Sequence, residues 1–158
     1  MICLASGVQY CIYKIIIMTI NEIQDEIIDE FEVLDDWMDK YQLLIDFGNE
    51  LLPLDEKFKK PQFLIEGCQS RVWLNADFNG KNIRFFAESD AVIVKGIIAL
   101  LIRVLSDRTP EEILETDLYF IDRIGLKDHL SPTRSNGLVS MVKQMKNYAL
   151  AFKMKSTL

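Results

Sequence analysis

The run from Ala91 to Ser106, AVIVKGIIALLIRVLS, constrains this chain more than any other stretch. It is apolar on nearly every side, and a helix of that kind has to be enclosed by protein. Lys95 and Arg103 interrupt it, so it reads as the central helix of a core rather than as a membrane span. The remaining segments must then be amphipathic and wrap it. With 158 residues the chain is long enough to do so as one domain.

The flanking patterns supply those segments. Thr19 and Glu22 have the spacing of a capping box. Ile20, Ile23, Ile27, Phe31 and Leu34 follow at three- and four-residue steps, one face of a helix. Its other face carries Glu22, Asp25, Glu26, Asp29, Glu30 and Glu32, which read as a solvated surface. A second helix is expected from about Asp35, with Trp37, Tyr41, Leu44, Ile45 and Leu51 inward and Gly48 near its end. Pro53 to Pro61 reads as a loop.

The period then changes. Phe63 to Ile65 is a short apolar run, and Val72, Leu74, Ala76 and Phe78 alternate as in a half-buried strand. Asn79-Gly80 predicts a two-residue hairpin turn, since both residues tolerate positive φ. That turn sets Ala76 opposite Ile83, Leu74 opposite Phe85 and Val72 opposite Ala87. Ser89-Asp90 then reads as the cap of the apolar helix, Thr109-Pro110 as a helix start, Asp117 to Ile124 as a short helix, and Ser131-Pro132 as the start of the last one. The buried stripe expected there is Leu138, Met141, Val142, Met145, Tyr148, Ala149 and Phe152. The order predicts an α+β fold, a small antiparallel sheet of about three strands with helices packed on one face.

A formal net charge of −6 argues against a protein that wraps nucleic acid, which needs a basic surface to displace counterions. Residues 1–17 resemble a signal peptide only superficially: no basic region precedes the apolar run, Lys14 breaks it, and no small-residue cleavage site follows. The expectation is a mis-assigned start or a disordered extension over 1–17, with the domain spanning 18–158. A cytoplasmic home is expected, because a domain with one thiol gains nothing from an oxidising compartment.

Cys68 is that thiol, since Cys3 and Cys11 lie in the extension and no C-x-x-C occurs. It falls in a turn, flanked by Gly67, Gln69 and Ser70, off any apolar stripe. Ligand and catalytic side chains concentrate in such loops, yet an inert thiol fits position alone equally well. Extending the hairpin register puts Ser70 opposite Ser89 and Gln69 opposite Asp90, which brings Cys68 close to the start of the apolar helix. A helix N-terminus lowers a thiol pKa and Asp90 opposes that, so the net sign stays open. One thiolate alone can attack the outer sulfur of a persulfide on another protein. Disulfide oxidoreduction calls for two cysteines, and a cluster scaffold calls for three or four soft ligands. No metal site is read in the sequence.

Three motifs carry a resemblance. IEGCQSRVWL (65–74), SDAVIVKGIIALL (89–101) and HLSPTRSNGLVSM (129–141) are similar, in order, to the characteristic segments of the SufE family and its paralogue CsdE. The similarity covers residues 19–155. It implies the SufE/IscU-like fold, and it implies that Cys68 accepts a persulfide sulfur from a cysteine desulfurase of the SufS or CsdA class during iron–sulfur cluster assembly, stimulating that enzyme. The sulfur would pass on to an iron–sulfur scaffold. No cofactor is expected on this chain, because the pyridoxal phosphate belongs to the desulfurase. The role is that of a carrier rather than a stand-alone enzyme.

Arg134 matches the family's arginine and reads either as a partner contact or as a solvated first-turn residue. Asp90 either positions the cysteine loop or caps a helix. His129 reads as a local hydrogen-bonding residue before a proton relay. Two other functions compete: a cysteine hydrolase using Cys68 and His129, and a noncatalytic adaptor that tunes a desulfurase without carrying sulfur.

Overall fold

The computed structural model describes residues 18–157, so the expectation for residues 1–17 lies outside the described residues. Six helices and a two-stranded antiparallel sheet follow one another as α1 (Ile20–Glu32), α2 (Trp37–Asn49), β1 (Val72–Phe78), β2 (Ile83–Ser89), α3 (Val92–Leu105), α4 (Pro110–Glu115), α5 (Phe120–Arg123) and α6 (Pro132–Ser156). The α+β class is as expected. The third strand is reduced to one bridge, Leu64 to Trp73, because Pro61–Phe63 curls into a 3₁₀ turn just before it.

α3 is the centre. Val94, Ile97, Ile98, Leu100, Leu101, Val104 and Leu105 are all buried, with α2, β2, α1 and α6 packed about them. The closest approach is between α2 and α3. A Cβ added to Gly96 would stand 2.1 Å from the Leu44 carbonyl oxygen, and one added to Gly48 would stand 2.9 Å from the Gly96 nitrogen. Two glycines thus let the backbones touch.

α1 begins with both capping-box bonds: the Glu22 amide donates to Thr19 Oγ1 at 3.1 Å, and the Thr19 amide donates to Glu22 Oε2 at 2.8 Å. Its inner face buries Ile23, Ile27, Ile28 and Phe31. Gln24 is buried with them and satisfied, donating to the Asp117 carbonyl and accepting from the Phe120 amide. The acidic outer face is not simply solvated. Glu26 and Glu30 both accept from Arg103, at 2.8–2.9 Å, so the one arginine in the apolar helix is answered by α1. Burial works against the Arg103 charge, but the bonds and charges of Glu30 and Glu26 outweigh it and raise its pKa.

The hairpin register differs from the expected one by two residues. Val72 faces Ser89, Leu74 faces Ala87, Ala76 faces Phe85 and Phe78 faces Ile83. The connection is four residues, Asn79–Asn82, because the Asn79 side chain accepts from the Lys81 and Asn82 amides and closes the turn itself. Gly80 takes φ +92° within it. A shift of two leaves every side chain on its expected face.

α3 is also capped otherwise than expected. Ala91 is the N-cap and provides no side-chain bond, while Ser89 Oγ accepts from the Ala91 amide at 3.2 Å. Asp90 points back across the hairpin instead. The last helix starts as expected: Ser131 Oγ accepts from the Arg134 amide, with Pro132 at the first position. Leu138, Met141, Met145 and Ala149 are buried in it, and Val142, Tyr148 and Phe152 are half-buried. Tyr148 donates its hydroxyl to the Leu74 carbonyl at 3.1 Å, fastening α6 to the outer edge of β1.

Candidate functional site

The loop between the Leu64 bridge and β1 holds Cys68, and three features fix its path. Gly67 has φ +88°, which an L side chain rarely adopts, and a Cβ there would lie 2.5 Å from Ser140 Oγ of α6. Beyond the cysteine, Asp90 clamps the chain: its carboxylate accepts from the Arg71 amide at 3.1 Å, and its own amide donates to the Arg71 carbonyl at 3.3 Å. Asp90 therefore faces Arg71, two residues along from the expected partner Gln69. The Asp90 carboxylate thus bonds the Arg71 amide and makes no cap bond to α3.

The sulfur rests on α6. Cys68 Sγ is 3.6 Å from the Gly137 carbonyl oxygen, to which the thiol donates weakly. A Cβ on Gly137 would be 3.5 Å from that sulfur, ordinary contact, so the seat is formed by bare backbone. Cys68 is half-buried, and it opens into a cavity of about 90 Å³ lined by Gln69, Ser70, Val94, Thr133, Arg134, Gly137 and Met141. That lining brings Gln69, Ser70 and Arg134, named from the sequence, around the thiol.

The electrostatics go against the lowering that a helix start would give. Val94 places the first turn of α3 in the cavity wall, but the atom facing the sulfur is a carbonyl oxygen rather than a free amide. Burial dominates and pushes the Cys68 thiol above its ordinary value. The isolated protein thus holds Cys68 as a protonated thiol at neutral pH.

His129 lies elsewhere. Its ring stacks on Trp37, with centroids 3.6 Å apart and 14° between planes, and its Nδ1 is 3.1 Å from the Gly125 carbonyl. The Tyr41 hydroxyl donates to the His129 carbonyl. It is not among the residues that line the Cys68 cavity, so the cysteine–histidine pair of a hydrolase is not assembled there. Sequence reasoning missed Gly137 and Met141 as parts of the site. A glycine inside a long helix was the available signal, since it costs helix stability and calls for a close neighbour. Among the described residues no group of three or more His, Cys, Asp or Glu side chains could hold a metal ion, and no helix is long and apolar enough to cross a membrane.

Residues 25–149 match the SufE family model, described as an Fe-S metabolism associated domain. The chain is 40% identical over 131 residues to the SufE-like protein 1, chloroplastic/mitochondrial, of Arabidopsis thaliana, covering 82% of this chain and 35% of the plant protein, so it spans about a third of that relative's length. It is 38% identical over 130 residues to an uncharacterized SufE-like protein of Rhizobium meliloti, covering 79% of this chain and 93% of the relative. The solution structure of a hypothetical protein from Thermus thermophilus superposes with a TM-score of 0.69 at 21% identity, over 84% of this chain and 96% of the other, and shows the same fold.

Proposed function

The chain belongs to the SufE family, whose domain is tied to iron–sulfur metabolism, and from that premise we propose that Cys68 accepts a persulfide sulfur from a pyridoxal-phosphate cysteine desulfurase. The single observation that carries the reading is the placement of the sole described cysteine, half-buried on a turn above a small cavity rather than within the apolar core. The Cys68 thiolate attacks the outer sulfur of the donor's persulfide. A bond forms between Cys68 Sγ and that sulfur, the donor's sulfur–sulfur bond breaks, and the donor cysteine leaves as a thiolate that takes up the proton Cys68 lost. No net oxidation occurs. The pyridoxal phosphate stays with the desulfurase, and the carried sulfur passes to an iron–sulfur scaffold.

A thiol held protonated in the free protein fits an acceptor that is idle until docked. Contact with the donor would shift the loop and expose the sulfur, and the cavity would shelter the product persulfide from oxidation. The role needs a reducing compartment; we place it in the cytoplasm for this chain, while the plant relative's name assigns that protein to chloroplast and mitochondrion.

The test is incubation with a cysteine desulfurase and L-cysteine, followed by mass spectrometry of the Cys68 peptide. The expected result is the added mass of one sulfur atom, absent in Cys68→Ser. The adaptor reading predicts that Cys68→Ser still stimulates the desulfurase. Stimulation that survives, with no sulfur found on the wild-type peptide, overturns the acceptor role.

A further inference from the structure

On the other side of the Cys68 loop a cleft of about 610 Å³ separates the segment Pro61 to Glu66 from α6. Its α6 wall is Ser140, Lys143, Gln144 and Asn147, spaced three and four apart and therefore on one helix face. Gln62 and Glu66 rise from the opposite wall. Among the described residues none of these six polar side chains makes a hydrogen bond or ion pair within the chain.

The main chain of the second wall is unfinished as well. Ile65 donates its amide to the Val72 carbonyl at 2.8 Å, in the bridge that stands where a third strand was expected. Residues in an antiparallel pair alternate between facing the neighbouring strand and facing away. The Leu64 carbonyl, opposed to the Ile65 amide across the same peptide unit, therefore faces away from β1, and Glu66 opens the turn to Gly67. The Leu64 amide is taken by the Pro61 carbonyl at 3.2 Å, but the Leu64 carbonyl and the Glu66 amide have no partner among the described residues.

We propose that this cleft receives an extended segment of the sulfur-donating protein, bonded to the free main-chain carbonyl of Leu64 and amide of Glu66 and carrying an acidic side chain that meets Lys143. The inference rests on the preceding reading that Cys68 takes sulfur from another protein. Unpaired main-chain carbonyls and amides are what an incoming extended chain bonds to. The carboxamides of Gln62, Gln144 and Asn147 each offer a donor and an acceptor, the same pair that a peptide unit presents. From Ser140 to Asn147 the wall runs about 10 Å along the helix, the length of about three extended residues. Polar groups strung along that length suit a chain, whereas a small zwitterion would need them converging on one point. Lys143 is the one cation of the lining and Glu66 its one anion, so an acidic side chain of the segment is drawn to the α6 wall and held off the facing one.

The position gives the site a consequence. Glu66 adjoins Gly67, whose backbone lies against Ser140, and Cys68 follows at once. A strand paired at Glu66 therefore fixes the loop at its root while leaving the cysteine free to turn outward.

The experiment uses the full chain with a purified cysteine desulfurase that charges Cys68 saturably. Lys143→Glu and the double variant Gln144→Ala/Asn147→Ala are expected to raise the half-saturating concentration about tenfold, with the maximal transfer rate within about twofold of wild type. In parallel, amide exchange over residues 62–66 is followed in unsubstituted protein and in Cys68→Ser. Protection on adding the desulfurase is expected in both, and because Cys68→Ser carries no sulfur, this arm separates the cleft from the acceptor chemistry. Unchanged half-saturation, or no protection over 62–66 in a complex that forms, overturns the proposal. Protection produced equally by free L-cysteine makes the occupant a small zwitterion and overturns it too. The wild-type exchange arm decides the matter even if a variant fails to fold.

Discussion

At the scale of single residues, the state of one proton decides how the site behaves. Burial raises the Cys68 pKa, so at neutral pH the thiolate fraction is smaller than in an unfolded chain. In a Cys3→Ser/Cys11→Ser background, alkylation of Cys68 should be slower in the native protein than in urea at pH 7. Its rate should also reach half-maximum at a higher pH than for the denatured chain. A native thiol that titrates below the denatured one would contradict burial as the cause. The Asp90 clamp makes a separate prediction. Asp90→Ala removes the acceptor of the Arg71 amide, worth about 1 kcal/mol of local opening, so exchange of that amide should rise about fivefold while the melting temperature barely moves. The cysteine itself was legible in the sequence because it sat on a turn beside glycine. The direction of its pKa was not. That depends on how far the packing of α6 and the first turn of α3 removes the sulfur from water, which spacing along the chain cannot encode.

At the scale of elements, the α2–α3 crossing is where the fold tolerates least. Gly96→Ala would drive a methyl to 2.1 Å from the Leu44 carbonyl, and helices in contact along their backbones have nothing flexible to yield. The expected cost is about 3 kcal/mol or more by denaturant unfolding. Gly80→Ala meets no atom within 4 Å and should cost only about 1 kcal/mol, from its φ of +92°. Equal losses at the two positions would show that the crossing is looser than described. Most elements were readable before the structure: the Thr19 and Thr109 capping boxes, the Ser131-Pro132 start and the alternation of β1 all carry local signals. The hairpin register was not, because a period of two is blind to a shift of two and the Asn79 side chain remakes the turn. The α3 cap was misread for a related reason. Asp90 has the right type for a cap, but its carboxylate is spent nineteen residues back at Arg71.

At the scale of the whole molecule, α1 is tied to the rest by charge and hydroxyl as well as by apolar packing. Tyr119 donates to Asp25 at 2.8 Å and to the Asn21 carbonyl at 3.0 Å. Its loss of solvent and the Asp25 carboxylate push its pKa up to about 12. The unfolded value is about 10. A phenol whose folded pKa is raised contributes its stability fully below the unfolded value and loses it as pH climbs through the folded one. Stability should therefore fall between pH 10 and about 12 in the wild type, and Tyr119→Phe should flatten that part of the curve relative to its own value at pH 8. Identical slopes in the two proteins would remove Tyr119 from the linkage. None of these ties was visible in the sequence, where the acidic face of α1 looked like a surface meant for water. Arg103 and Tyr119 come to it from elements more than seventy residues away.

One helix, α6, lies beneath the sulfur at Gly137 and closes the outer edge of β1 at Tyr148. Lifting it strips both at once. The accessibility of a single sulfur atom to a pulse of alkylating agent during a temperature ramp therefore acts as a thermometer for the sheet, reporting from one end of the helix the detachment of the other.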